Sequence, residues 1–410
     1  MKNSYICLLF LALTAPAVNA NEDIHWSVKG FGTFGFSGTD IDEIGFVRST
    51  TQTQDVTSSW GVSTDSRLGL QVDVDINQSL HATVQWIARD HAGDFFEQNL
   101  DWAFLRWNLN DTTNIRAGRI GAELFLLSDY RNVGYAYPWM RPPHEFYSGL
   151  ALYHFDGLEF NHKFHFNDDL LSLKLSAGYS FNQVPTGSSE QIDLESPLVG
   201  GSLKFESGNW TSRAGYSYLH LINKVLSEQL INALNEPLVN LGIPGIKQVI
   251  PALSLKDSNI HYYSLGTAYD DGTWIAYAEA SYLDSSTNFF PSSASGYLSI
   301  GKRISNITLY SLFGISHSFQ KNIDIPSPTL PIPQLEELHQ VIDKALNKNG
   351  TDEKSISLGL RWDFHPNIAF KTQWSHYWLG SNGTQLWQDS TLRDKSVQVN
   401  VWSLGVDFFF

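Results

Sequence analysis

The chain is 410 residues long, 13% aromatic and only 17% charged, where a globular protein averages roughly 25% charged residues. A formal charge of -15 argues against sequence-independent binding of nucleic acid, which needs clustered Lys and Arg to neutralise phosphate. The lone cysteine, Cys7, leaves the rest of the chain without a disulfide or a thiolate site, and beyond the N-terminal stretch no apolar run is long enough for a helix to cross a bilayer.

Residues 1–20 read as a signal peptide: Lys2 supplies the positive end, ICLLFLALTA the apolar core, and Val18, Asn19 and Ala20 the small-residue cleavage site. Residues 21–410 then form one unit whose membrane insertion, if any, uses strands. The glycine-rich GFGTFGFSG around Gly30 alternates like a strand and lacks the helix that a dinucleotide site needs. RLGLQVDVDI follows, with Leu68, Leu70, Val72, Val74 and Ile76 on one face and Arg67, Gln71, Asp73 and Asp75 on the other. LHATVQWIARD sets Leu80, Ala82, Val84, Trp86 and Ala88 against His81, Thr83, Gln85 and Arg89, and the short Asn77–Ser79 link makes the two segments a hairpin.

The same period-two pattern returns in LLSLKLSAGYSF, where Leu171, Leu173, Leu175, Ala177, Tyr179 and Phe181 oppose small and polar residues. It returns again in SISLGLRWDF, where Ile356, Leu358, Leu360, Trp362 and Phe364 oppose Ser355, Ser357, Gly359, Arg361 and Asp363. Short turns at 110–112, 167–169, 207–209, 270–272, 305–306 and 365–366 alternate with much longer connections, the asymmetry of a barrel with tight turns on one rim and long loops on the other. A first count gives seventeen strands; rejecting Tyr147–Phe155 keeps every later short turn on one rim and leaves sixteen. They run approximately over 24–37, 65–76, 79–90, 100–109, 113–120, 158–166, 170–181, 197–206, 210–220, 259–269, 273–284, 294–303, 307–319, 355–364, 367–379 and 396–410. The expected fold is therefore all-β, a sixteen-stranded antiparallel transmembrane barrel. Trp210, Tyr216, Tyr218, Trp274, Tyr282, Trp374 and Trp378 fall near strand ends, as aromatic girdles require.

The chain closes with VNVWSLGVDFFF, Leu404, Val406, Phe408 and Phe410 alternating to a terminal aromatic residue. This ending, with a leader and sixteen strands, resembles the Gram-negative outer-membrane porins; no internal motif fixes a subfamily. The resemblance implies that Phe410 is read by the barrel-assembly machinery, that lipid and lipopolysaccharide surround the barrel, that the protein is a homotrimer, and that the third outer loop folds into the lumen and narrows it. Here that loop spans 121–157 and contains Pro138, Pro142, Pro143 and Gly134, which suit irregular backbone.

In a pore the working residues are charges projecting into the lumen. The basic candidates are Arg67, Arg89, Arg106, Arg116, Arg213, Arg361 and Lys371 on strands, with Arg131 and Arg141 on the third loop. The acidic ones are Asp73, Asp75, Asp101, Glu279 and Asp363, with Glu123, Asp129 and Glu145 on the loop. Opposite signs on facing walls would set a transverse field, and neutralising Arg131 with Arg141 is expected to move selectivity toward cations. Two outer loops, 221–258 and 320–354, carry helical periodicity: Leu221, Ile222, Val225, Leu226, Leu230 and Leu234 in the first, and Leu335, Leu338, Val341, Ile342 and Ala345 in the second. Proline residues bound both, and the two helices are expected to bury their apolar faces against each other or the loop roof, partly capping the outer mouth.

His162 and His165 of NHKFH point to opposite faces of a strand and cannot share one metal, so neither a metal nor another cofactor is expected. The reading is a non-enzymatic porin passing small hydrophilic solutes passively. The alternatives are a receptor or adhesin using the helical loops, and an outer-membrane acyl hydrolase with Ser and His adjacent on the outer wall.

Overall fold

The computed structural model of the protein describes residues 24–410 apart from 94, 186–190, 223–254, 288–289, 382, 384–385, 390–395 and scattered positions between 320 and 349. The leader at 1–20 and most of both helical patterns lie outside the described residues; within the second, Leu335, Glu336, His339, Gln340, Asp343 and Asn347 are helical.

Sixteen strands close into one antiparallel barrel. They are β1 (His25–Thr39), β3 (Arg67–Asp75), β4 (Leu80–Ala88), β5 (Leu100–Asn110), β6 (Thr113–Gly121), β7 (His154–Phe166), β8 (Asp169–Pro185) and β9 (Gln191–Ser207), then β10 (Trp210–Leu221), β11 (Ser258–Asp270), β12 (Trp274–Ser285), β13 (Ser293–Ile304), β14 (Ile307–Ser318), β15 (Asp352–His365), β16 (Ile368–Leu379) and β18 (Val397–Phe409). Short β2 (Ile44–Phe46) and β17 (Trp387–Asp389) pair separately with each other. Each barrel strand hydrogen-bonds its neighbours in sequence, and the seam closes between β1 and β18 in the register Phe31↔Phe409 to Thr39↔Val401. Closure leaves no free edge, the condition for a sheet to exist in hydrocarbon.

The alternation read from sequence sets the two faces. Leu68, Leu70, Val72, Leu175, Leu203, Leu265, Leu298 and Leu358 are exposed on the outside, while Arg67, Gln85, Glu159, Ser202, Ser357 and Gln373 on the other face of the same or neighbouring strands are buried inside. An apolar exterior around a polar interior inverts a water-soluble protein and fits lipid. Trp26, Trp107, Trp210, Trp274 and Trp362 stand exposed near the tight-turn rim, and Tyr282 and Trp378 toward the other. The turns β9–β10 and β11–β12 are tight enough to need left-handed glycines, Gly208 at φ 53° and Gly272 at φ 85°.

The strand count holds, and the rejected stretch 147–155 forms no strand of its own: residues 150–153 are irregular, and only His154 and Phe155 join β7. The largest boundary differences are in β7, β8 and β9: β7 begins earlier because its ladder with β6 reaches Gly121↔His154, and β8 and β9 run taller because theirs continues to Pro185↔Gln191. Pro197 lies within β9 without breaking it, one residue past the last β9–β10 pair, Leu198↔Leu219, where a ladder bond on that side is no longer needed.

Candidate functional site

The third outer loop, residues 122–153, runs through the barrel interior and is tied to strands far away in sequence. Its prolines keep it out of any ladder, so its backbone groups need partners from the wall. The wall supplies them. Arg213 of β10 donates to the Leu124 carbonyl at 3.1 Å, Glu279 of β12 accepts from Leu126 N–H at 2.7 Å, and Gln373 of β16 accepts from Met140 N–H at 3.1 Å. Lys371, wholly buried, donates to the carbonyls of Gly134, Tyr137 and Trp139 at 2.6, 2.7 and 2.8 Å and pairs with Asp407 at 2.8 Å. Arg361 donates to the Tyr135 and Tyr137 carbonyls at 2.7 and 3.1 Å while pairing with Asp363. Between these ties, Phe125, Leu127 and Trp139 bury their side chains in a cluster that includes Tyr262, Tyr277, Tyr297 and Tyr310 of the wall. The Trp139 ring meets Tyr277 edge-on at 4.8 Å, and its indole N–H donates to Ser299 at 2.8 Å.

Toward β3–β9 the loop's contacts are charged instead. Lys174 of β8 pairs with Glu123 at 2.7 Å and with Asp129 at 3.3 Å, and the Asp129 side chain is 58% exposed although it lies inside the barrel. On the same wall Arg106 and Arg116 sit directly opposite each other on β5 and β6. Arg116 pairs with Glu159 at 3.3 Å, and Arg89 reaches both Asp101 at 2.8 Å and Asn132 of the loop at 3.1 Å.

The predicted site residues thus separate by environment. Arg89, Arg106, Arg116, Glu123 and Asp129 belong to the charged wall and the loop edge facing it. Arg213, Glu279, Arg361 and Lys371 are taken up in holding the loop; Glu279 also accepts from the hydroxyls of Tyr147 and Tyr297. Asp363 neutralises Arg361, Asp73 pairs with Lys29 and Asp75 with His81, all on the strand halves nearest the tight turns. Arg141 is buried and doubly bonded to Asp65, at 2.9 and 2.5 Å. Burial would raise the Asp65 carboxyl, but Arg141 and Arg48 hold it well below the usual carboxylate range. Glu145 is buried beside Glu353 of β15, and Arg131 and Arg67 are buried near Tyr137 and Tyr153. Sequence reasoning missed Arg48, Asp65, Lys174 and Glu159 as charged partners; Lys174 and Glu159 occupy lumen-facing alternate positions and could have been found by extending the same pattern.

The sequence matches no family model and no curated protein. Solved structures do match in fold. An anion-selective porin from Comamonas acidovorans is 11% identical with a TM-score of 0.54, covering 95% of this chain and 100% of that one. The outer membrane channel DcaP of Acinetobacter baumannii is 10% identical at TM-score 0.55, covering 97% and 100%. OmpT of Vibrio cholerae in its trimer form is 12% identical at TM-score 0.51, covering 95% and 100%. Likeness at such identity is one of fold. A closed sixteen-strand barrel with a lipid-compatible exterior and this likeness define the porin fold, the fold expected from the C-terminal ending and the strand count.

Proposed function

We propose that the protein is a water-filled outer-membrane channel through which small hydrophilic solutes diffuse passively. The observation that carries this reading is the divided interior. The third loop is sealed by buried bonds and aromatic packing to β10–β18, while its other edge confronts Arg89, Arg106, Arg116 and Lys174 with the acidic residues Glu123 and Asp129. Full desolvation of that many charges would be prohibitive, so water must fill the space between them. Opposed signs across a narrow wet gap orient dipolar solutes and disfavour apolar ones. Assembly as a homotrimer and recognition of Phe410 by the barrel-assembly machinery belong to the same reading.

The test is single-channel recording of the mature protein in planar bilayers under a salt gradient. Discrete ohmic steps are expected, and replacing Arg106 and Arg116 by Gln together should move the reversal potential toward cation preference. Absence of any conductance from folded, inserted protein would sink the channel reading and favour the receptor alternative.

A further inference from the structure

The first outer loop (40–66), the second (89–99) and the third enclose a cavity of about 60 Å³ that Arg89 joins to the charged wall, and four guanidinium groups line it: Arg48, Arg67, Arg89 and Arg131. The carboxylates nearby are already engaged. Asp65 is held by Arg141 and, at 3.4 Å, by Arg48; Asp101 is shared by Arg89 and Asn132; Asp90 accepts from Thr53 and from Gln54 N–H. Arg67 and Arg131 have no carboxylate partner among the described residues. Arg67, 6% exposed, donates to the Tyr137 hydroxyl at 3.1 Å and its buried Nε has no partner; Arg131, 7% exposed, donates to the Leu152 carbonyl at 3.2 Å.

Like charges are held together here by aromatic residues. The Tyr137 hydroxyl accepts from Arg67 and, at 3.4 Å, from Arg48, while Arg89 and Arg131 each lie 4.4 Å from the centre of the Tyr153 ring. The remaining lining adds hydroxyl and amide groups, and the Thr64 hydroxyl is buried without a partner. Buried, unpaired positive charge is costly unless an anion completes it, and guanidinium forks fit the two coplanar oxygens of a carboxylate or two oxygens of a phosphate. A water needs about 10–15 Å³ of such space, so the cavity has room for a few waters or for an oxyanion group in their place.

We infer that this cavity is a saturable binding site for a small oxyanion, a carboxylate or phosphate group, completed by Arg67 and Arg131 between Arg48 and Arg89. The site itself stands on geometry; its part in permeation rests on the channel reading above.

Calorimetric titration of the detergent-solubilised full chain at fixed ionic strength, with succinate, inorganic phosphate and potassium chloride as separate probes, tests the site without requiring conductance. Saturable binding of succinate, phosphate or both, and none of chloride, is expected; the responding probe identifies the oxyanion. The Arg67→Gln/Arg131→Gln variant should bind at least about tenfold more weakly, the scale of losing charge-assisted bidentate contacts, while Arg131→Lys, which keeps the charge, should lose less. Each variant is first checked for the folded barrel by its mobility on unheated gels. Failure of both oxyanions to bind, or binding unchanged in the folded double variant, would overturn the site. Blockade of single-channel current by the bound probe tests its role in permeation; binding without blockade of a conducting channel would remove that role and leave the site.

Discussion

Glu145 shows how far a single side chain can be bent by its surroundings. It is buried on the third loop, both carboxyl oxygens lack hydrogen-bond partners, and it packs on Gly314, where a Cβ would come within 2.3 Å of an oxygen. Burial, and then the charge of Glu353, push its carboxyl up from 4.5 to about 7. The folded chain therefore keeps a proton there that the unfolded chain releases, between 4.5 and about 7. Over that window this group's contribution to stability falls as pH rises, and it is constant above it. We expect the thermal midpoint to rise on acidification from about pH 8 to about pH 5, with the rise reduced in Glu145→Gln; an identical profile in the variant would remove Glu145 as its source. Glu145 was legible as a loop carboxylate, but its partner, Glu353, is far along the chain. Arg141 was likewise legible as a loop cation and its partner was not: Asp65 lies 76 residues upstream, and no local pattern announces a pair that only folding brings together. Neutralising Arg141 is accordingly expected to act through the freed Asp65, and neutralising Arg131 through the anion cavity.

At the level of elements, the third loop depends on donors from the wall more than on any structure of its own, which amounts to one short helix at His144–Tyr147 and a single 3-10 turn at Gly134–Ala136. Lys371 is the strongest tie. Lys371→Met would take a donor from three loop carbonyls, of which Tyr137 alone keeps a second side-chain donor in Arg361, and leave Asp407 buried without its cation, a change that typically costs about 3–5 kcal/mol. A lowered unfolding midpoint is expected, together with larger or noisier conductance steps as the loop loosens; a variant as stable as the parent, with unchanged steps, would show that the loop is fixed by its aromatic packing alone. The strands were readable because period two is a local property: LLSLKLSAGYSF declares both faces of β8 without reference to its neighbours. What was not read was the height of β8 and β9: at the upper end of β9, Ile192 and Leu194 alternate with Gln191, Asp193 and Glu195, but Ser196 and Pro197 interrupt the pattern below them, and it is pairing with β8 that carries the strand through.

For the whole molecule, closing sixteen strands requires the wall to curve, and a row of glycines crosses three of them: Gly118 pairs with Gly157, and Gly157 with Gly178. A Cβ on Gly157 would lie 2.2 Å from the Ala177 carbonyl oxygen and 2.6 Å from the Gly178 Cα, backbone atoms that cannot swing aside. Gly157→Ala should therefore cost at least about 1–3 kcal/mol, the range of overpacking, seen as a smaller heat-modifiable fraction on gels and a lower melting midpoint. A fully folded variant of unchanged midpoint would mean that the curvature comes from elsewhere.

The seam between first and last strands is fastened twice. At the tight-turn rim, Gly30 and Phe410 exchange backbone hydrogen bonds of 2.9 Å each; at the other rim, β2 and β17 pair across the two loops flanking the seam, over a buried cluster containing Phe46, Tyr377, Trp387 and Val401. A zipper with a stop at each end cannot creep: a slip of one register step would have to break both clasps at once. A chain cut short before residue 387 would lose β18 along with β17 and leave the edges of β1 and β16 bare to the bilayer.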